Sequence, residues 1–171
     1  VALYSVIAFC GSFRGHEVFL VDLFGLLKYE ADHLYSSGIK FCMIPLLGRY
    51  KGEDGSRYHL TPLASTTKSG LNLGIWVSRV CADRRSQRRN HGPVFADRFG
   101  GMANPRLYEM TILDLLQKIK DKYHDVIPAE VNVYEDYGIS RSFRRGVTTH
   151  ARNLDIKKED IDLMNRWRNV E

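Results

Sequence analysis

Gly138-Ile139-Ser140-Arg141-Ser142-Phe143-Arg144-Arg145-Gly146-Val147-Thr148-Thr149-His150-Ala151-Arg152-Asn153 carries four arginines and no acid. Its composition reads as a helix over residues 140–153, entered from a glycine. A helix start exposes free backbone N–H groups and the positive end of the helix dipole. Guanidinium groups placed there favour an anion a second time, because each can hold two oxygens at once. This stretch is the strongest candidate for an anion site in the chain.

Outward from it, residues 157–169 read as one further helix after a short turn. Ile161, Met164 and Trp167 recur there at a spacing of three, so Trp167 is open to a core role as well as a functional one. On the other side, residues 126–138 read as irregular or short strand. Before them, Asn104-Pro105 supplies an N-cap and a first-turn proline. Leu107, Met110, Leu113, Leu116 and Ile119 then follow at helical spacing, which predicts a helix over 105–124. Residues 90–102 are a Gly-rich loop. Residues 69–89 read as a helix ending in the basic run Arg84, Arg85, Arg88, Arg89, which is either a solvated face or a contact with a phosphate backbone.

The first third holds the strand signals. Residues 39–47 have strand composition with an edge-type Pro45, and residues 57–63 return after the polar turn Tyr50-Lys51-Gly52-Glu53-Asp54-Gly55-Ser56. Ser36-Ser37-Gly38 is a turn. Residues 1–10 and 17–35 read as two helices separated by Gly11-Ser12-Phe13-Arg14-Gly15. The expected fold is therefore mainly α with a small antiparallel β-sheet, an α+β domain spanning residues 1–171.

Composition narrows the function. The chain has 171 residues, of which 44% are hydrophobic, enough to bury a core. Its 25 basic residues exceed its 20 acidic ones, and 16 of the basic ones are arginine. Three cysteines (Cys10, Cys42, Cys81) form no CxxC pair, which argues against a disulfide framework or structural zinc and for a reducing, intracellular setting. The six histidines lack ligand spacing, so no metal is expected. No P-loop, GxGxxG, GxSxG or HExxH motif occurs, so none of the sites that those motifs build is expected. No apolar run is long enough for a membrane span, and the apolar start has neither a basic flank nor a cleavage pattern. The start lacks an initiator Met and the last residues sit in a helical pattern, so a fragment truncated at both ends is expected.

A second arginine context resembles the first. In Gly11-Ser12-Phe13-Arg14-Gly15-His16-Glu17-Val18-Phe19-Leu20-Val21, an arginine stands at a break before an amphipathic helix with a carboxylate three residues on. Glu17 is also a ready salt-bridge partner for Arg14. Between the two contexts lies the hairpin with Lys51 at its tip, closed by Thr61-Pro62-Leu63; Lys40 and Arg57 are rival cations near that position. Taken in order, these residues resemble the catalytic domain of the tyrosine recombinases, the phage-integrase-like enzymes. Arg14 with Glu17 and Val21 is similar to the family's R-x-x-E-x-x-x-L context. Arg141-Ser142-Phe143-Arg144-Arg145-Gly146 is similar to its H-x-L-R box, with arginine in place of histidine. Trp167 stands about two dozen residues later, as the family's His-or-Trp position does. The Ser-Phe-Arg-Arg-Gly stretch with Asn165-Arg166-Trp167 is closest to recombinases of eukaryotic mobile elements.

The resemblance implies cleavage and rejoining of double-stranded DNA through a 3′-phosphotyrosine link, without metal or cofactor. Arg14 and Arg144 would hold the scissile phosphate, Lys51 would protonate the leaving 5′-hydroxyl, and Trp167 would donate its indole N–H. Arg141 stands where a general base is usual; a guanidinium is no base at neutral pH, so it could only stabilise charge. Arg57, Arg145, Arg84, Arg85 and Arg88 are candidate DNA contacts. The family's nucleophile lies nine or more residues past the Trp position, outside this sequence, so these residues alone are expected not to cleave. The parent would work as a homo-oligomer, a tetramer, on DNA, in the nucleus if eukaryotic and otherwise in the cytoplasm. Rival readings are a DNA-binding remnant of the same fold without chemistry and a type IB topoisomerase-like enzyme. A helical domain that binds RNA or a protein is a further alternative.

Overall fold

A computed structural model describes residues 1–47 and 58–165, together with side chains throughout except Tyr58 and Met164. Eight helices and a three-stranded antiparallel sheet are present among the described residues. The α+β class expected from the sequence is the class observed.

Helix α1 (Ala2–Cys10) is apolar on most of its circumference and buries Leu3, Tyr4, Val6, Ile7 and Ala8. A helix apolar on so many sides belongs inside, and α1 packs against later helices on more than one flank. It stops where Ser12 takes a left-handed φ of 49° and the Phe13 N–H returns to the Ala8 carbonyl at 3.0 Å. Phe13 is fully buried and pins this break.

The single helix expected over residues 17–35 is three elements: α2 (Gly15–Val18), α3 (Leu23–Tyr29) and strand β1 (His33–Ser36). Two competing pairings cut it. Leu20 and Val21 leave the helix to meet the sheet: the Leu47 N–H donates to the Leu20 carbonyl at 2.8 Å, and Val21 bridges Leu46. Asp22 then starts α3 by accepting the Gly25 N–H at 2.7 Å, as an N-cap does. An unbroken apolar face does not reveal where a helix yields to such partners.

Strand β1 pairs with β2 (Ile39–Leu47) in the register Ser36↔Ile39 to His33↔Cys42. Ser37 and Gly38 form the two-residue connection, with φ of 51° and 75°. Both signs are positive, as the turn whose twist suits a hairpin requires. Strand β2 also pairs with β3 (Tyr58–Ala64), Pro45 lying opposite Leu60. Pro45 sits beyond the end of β1, where its carbonyl accepts the Asp22 N–H at 3.2 Å and its missing N–H breaks no β1 pairing. The hairpin expected over 39–63 is present; its tip, with Lys51 and Arg57, lies outside the described residues.

Helix α4 (Leu73–Ser86) starts at Asn72, whose side chain accepts the Ile75 N–H at 2.9 Å. Helix α5 (Pro105–Lys122) has the expected Asn104 cap, accepting the Arg106 N–H at 2.9 Å. The region expected to be irregular holds a helical turn, α6 (Val133–Asp136). Helix α7 (Ile139–Asn153) and α8 (Lys158–Met164) close the described chain.

The core lies where α1 meets α2, α3, the inner sheet face and α4, with Ile7, Val18, Leu23, Leu26, Ile44, Leu46 and Leu73 all fully buried. Tyr4 of α1 is ringed by Phe19, Phe95, Tyr108 and Phe143, at centroid distances of 5.4, 5.8, 5.4 and 6.4 Å. Through Phe143 this cluster fixes α7 to the core. No helix of the described residues is long and apolar enough to cross a membrane.

Candidate functional site

Helix α7 is sharply two-faced. Ile139 and Phe143 turn to the core, while Arg141, Arg145, Thr149 and Arg152 are exposed on the other side. Helix α2 lies against the start of α7. At Gly15, a Cβ would come within 2.7 Å of the Tyr4 hydroxyl and 3.0 Å of the Ser140 Cα, so this close approach needs a residue without a side chain. The consequence is that Arg14, at the N-cap of α2, shares a groove of about 750 Å³ with Arg141, Arg144 and Arg145. His16, Ser140 and Arg152 complete its polar wall, with Thr148 and Thr149.

Arg144 differs from the other arginines. It is only 9% exposed, and Glu17, 8% exposed, lies behind it. Arg144 Nη1 is 3.8 Å from Glu17 Oε2, and Arg144 Nη2 donates to the backbone carbonyl of Asn165. The same Glu17 oxygen accepts the Arg14 backbone N–H at 2.7 Å. Glu17 therefore serves both arginine contexts, capping the helix that carries one and ion-pairing with the other. The direct Arg14–Glu17 side-chain pair open to the sequence is not formed. No carboxylate of the described residues pairs with the guanidinium groups of Arg14, Arg141, Arg145 or Arg152.

A buried polar network fixes this floor. Asn165 is fully buried. Its Oδ1 accepts from Ser12 Oγ at 2.6 Å, and its Nδ2 donates to Thr148 Oγ1 at 3.1 Å and to the Ile161 carbonyl at 2.9 Å. Thr148 Oγ1 in turn donates to the Arg144 carbonyl at 2.8 Å. The break after α1, the middle of α7 and the end of α8 are thus tied together around Arg144. Buried polar groups need such partners, and a satisfied network holds one geometry.

Five arginines around one groove, with one buried carboxylate behind them, make a strongly positive surface that an anion relieves. Guanidinium groups keep their charge at any ordinary pH and grip tetrahedral oxyanions bidentately. Beneath the groove, burial, and then the Glu109 carboxylate, push the Tyr4 phenol up to about 12. Among the described residues no group of three or more His, Cys, Asp or Glu side chains gathers as a metal site.

Of the residues singled out in the sequence, Arg14, Arg141, Arg144 and Arg145 come together. Lys51, Arg57 and Trp167 lie outside the described residues. Arg84 and Arg85 lie in the last turn of α4 and Arg88 follows its end; none of the three lines the groove. Arg84 reaches the Val94 carbonyl at 3.4 Å, and Arg85 pairs with Glu30. The neighbouring Arg89 holds the Pro93 and Gly100 carbonyls at 3.2 and 3.3 Å. Much of that run braces the loop after α4. Sequence reading counted Arg152 among the arginines of its helix without giving it a role, and it missed His16, Ser12 and Asn165. Arg152 was detectable, since it falls on the same helical face as Arg141 and Arg145. Ser12 and Asn165 act through tertiary hydrogen bonds that no local pattern announces.

No protein-family description, no curated protein and no solved structure matches the chain.

Proposed function

We propose that this chain forms the phosphate-gripping core of a tyrosine-recombinase-like enzyme, whose parent cuts and rejoins DNA strands at mobile-element ends. The observation that carries the reading is the meeting of Arg14 with Arg141, Arg144 and Arg145, from opposite ends of the sequence, around one groove. Arg14 and Arg144 neutralise the non-bridging oxygens of the scissile phosphate as negative charge builds in the transition state. A tyrosine hydroxyl, which the resemblance places outside the given residues, releases its proton to solvent water and attacks phosphorus, forming a 3′-phosphotyrosine bond as the P–O5′ bond breaks. The 5′-oxygen leaves with a proton from Lys51, and the reverse attack of a 5′-hydroxyl regenerates the strand. Arg141 adds charge stabilisation, and Trp167 hydrogen-bonds the phosphate. The parent acts as a homotetramer on two duplexes, in the compartment that holds the DNA.

A second reading has one observation in its favour. Arg141 lines the groove at the place where the resemblance expects a base. A protein with that position filled by guanidinium could bind DNA and not cut it. The two readings separate in a chelator-containing incubation of a form extended beyond Glu171 into a tyrosine-bearing helix, with a nicked suicide duplex. The enzyme reading expects a covalent adduct on a denaturing gel, lost in Arg144→Ala and on mutation of that tyrosine. Salt-sensitive duplex binding with no adduct would establish the binding-only remnant, and no binding would remove the DNA reading.

A further inference from the structure

Arg141, Arg145, Thr149 and Arg152 follow one another along α7 at intervals of four, four and three residues, so they form one stripe along the helix. From Arg141 to Arg152 the helix rises by about 16 Å at about 1.5 Å per residue. That is far longer than one phosphate group needs, and a DNA strand sets its phosphates about 3.4 Å apart along the duplex axis. The tract also has an end. Arg152 lies on the boundary with a second cavity lined by Asp155, Lys158 and Asp162. Asp162 is buried and paired with Lys158 at 3.1 Å, so Asp155 is the carboxylate that repels a phosphate straying beyond Arg152. No carboxylate lines the groove on the near side.

We propose that the groove is a track for at least two consecutive phosphates of one strand. The first sits at Arg14 and Arg144, the next between Arg145 and Arg152, and Asp155 closes the far end. Arg152 is then a phosphate contact outside the cleavage centre, with the Thr149 hydroxyl beside it as a further donor. The inference rests on the DNA reading of the same groove and adds its length and its limit.

The test uses this chain in two titrations across a range of salt, one with a labelled duplex and one with inorganic polyphosphate against orthophosphate. Arg152 is exposed, so Arg152→Ala should keep the fold, which its thermal midpoint checks. Arg106→Ala removes an exposed charge that does not line the groove. The expected result is that Arg152→Ala lowers the slope of log K against log salt by about 0.9, the value of one phosphate contact, and that Arg106→Ala does not. Polyphosphate should bind more tightly than orthophosphate, by a margin that shrinks in Arg152→Ala and not in Arg106→Ala, and Asp155→Asn should tighten binding of both polyphosphate and duplex. Duplex binding with an unchanged slope in Arg152→Ala would overturn the track and leave the DNA reading standing. Arg152-dependent polyphosphate binding without duplex binding would support the track and overturn the DNA reading. Binding of neither ligand would overturn both.

Discussion

Asn165 shows what a single buried amide can decide. Its side chain makes three hydrogen bonds, to Ser12, Thr148 and Ile161, and its carbonyl takes the Arg144 guanidinium. Truncation to alanine keeps the carbonyl and removes the three side-chain bonds. The Ser12 hydroxyl is fully buried and would lose its acceptor, so the cost is that of an unsatisfied group plus a small cavity. We expect Asn165→Ala to lower stability by about 2–3 kcal/mol, read as a fall in the urea midpoint at constant slope. A change below about 0.5 kcal/mol would mean that the network does not hold the groove floor. The arginines that this network positions were legible because arginine without acid is a local signal. Ser12 and Asn165 stand far apart in the sequence, and a serine or an asparagine by itself signals only a turn or a cap.

At the scale of elements, the groove exists because α2 can lie flat on the start of α7. Gly15 permits it, with the Ser140 backbone and the Tyr4 hydroxyl where its side chain would be. Gly15→Ala places a methyl against backbone, which cannot rotate away, so α2 must shift. The expected cost is about 1–3 kcal/mol, as for overpacking a core site. Arg14 moves with α2, so duplex affinity should fall in the same variant, measured under conditions where it remains folded. Unchanged affinity would separate Arg14 from the binding surface. Elements with their own end signals were legible: Asn104-Pro105 opened α5 where the sequence placed it, and the strands around Pro45 and Pro62 paired as a hairpin. The stretch from residue 17 to 35 was not. Its apolar residues serve two short helices and a contact with the sheet, and the same hydrophobic composition suits either arrangement. Strand β1 is exposed at all four positions, so it lacks the alternation by which a half-buried strand is recognised.

At the scale of the molecule, Tyr4 is the ring on which the helices meet, with contacts to α5 through Tyr108 and to α7 through Phe143. Its phenol is pushed up to about 12, first by burial and then by the Glu109 carboxylate. Burial also raises Tyr108, against the opposing charge of Arg84. In the unfolded chain both tyrosines ionise near 10. Between about pH 10 and 12 the native state therefore holds protons that the unfolded state has released, and stability falls as pH rises. Below pH 10 the two states bind the same protons at these sites and the contribution is fully present. The groove behaves differently, because guanidinium groups remain charged throughout this range. Duplex binding should accordingly stay level from pH 8 to 10 and then collapse together with the fold, not ahead of it. Urea midpoints and duplex affinity measured at half-unit steps from pH 8 to 11.5 test the coupling. Tyr4→Phe removes the larger of the two titrations, so its midpoint should decline less steeply over the same window. An equally steep decline in that variant would place the alkaline transition elsewhere in the chain.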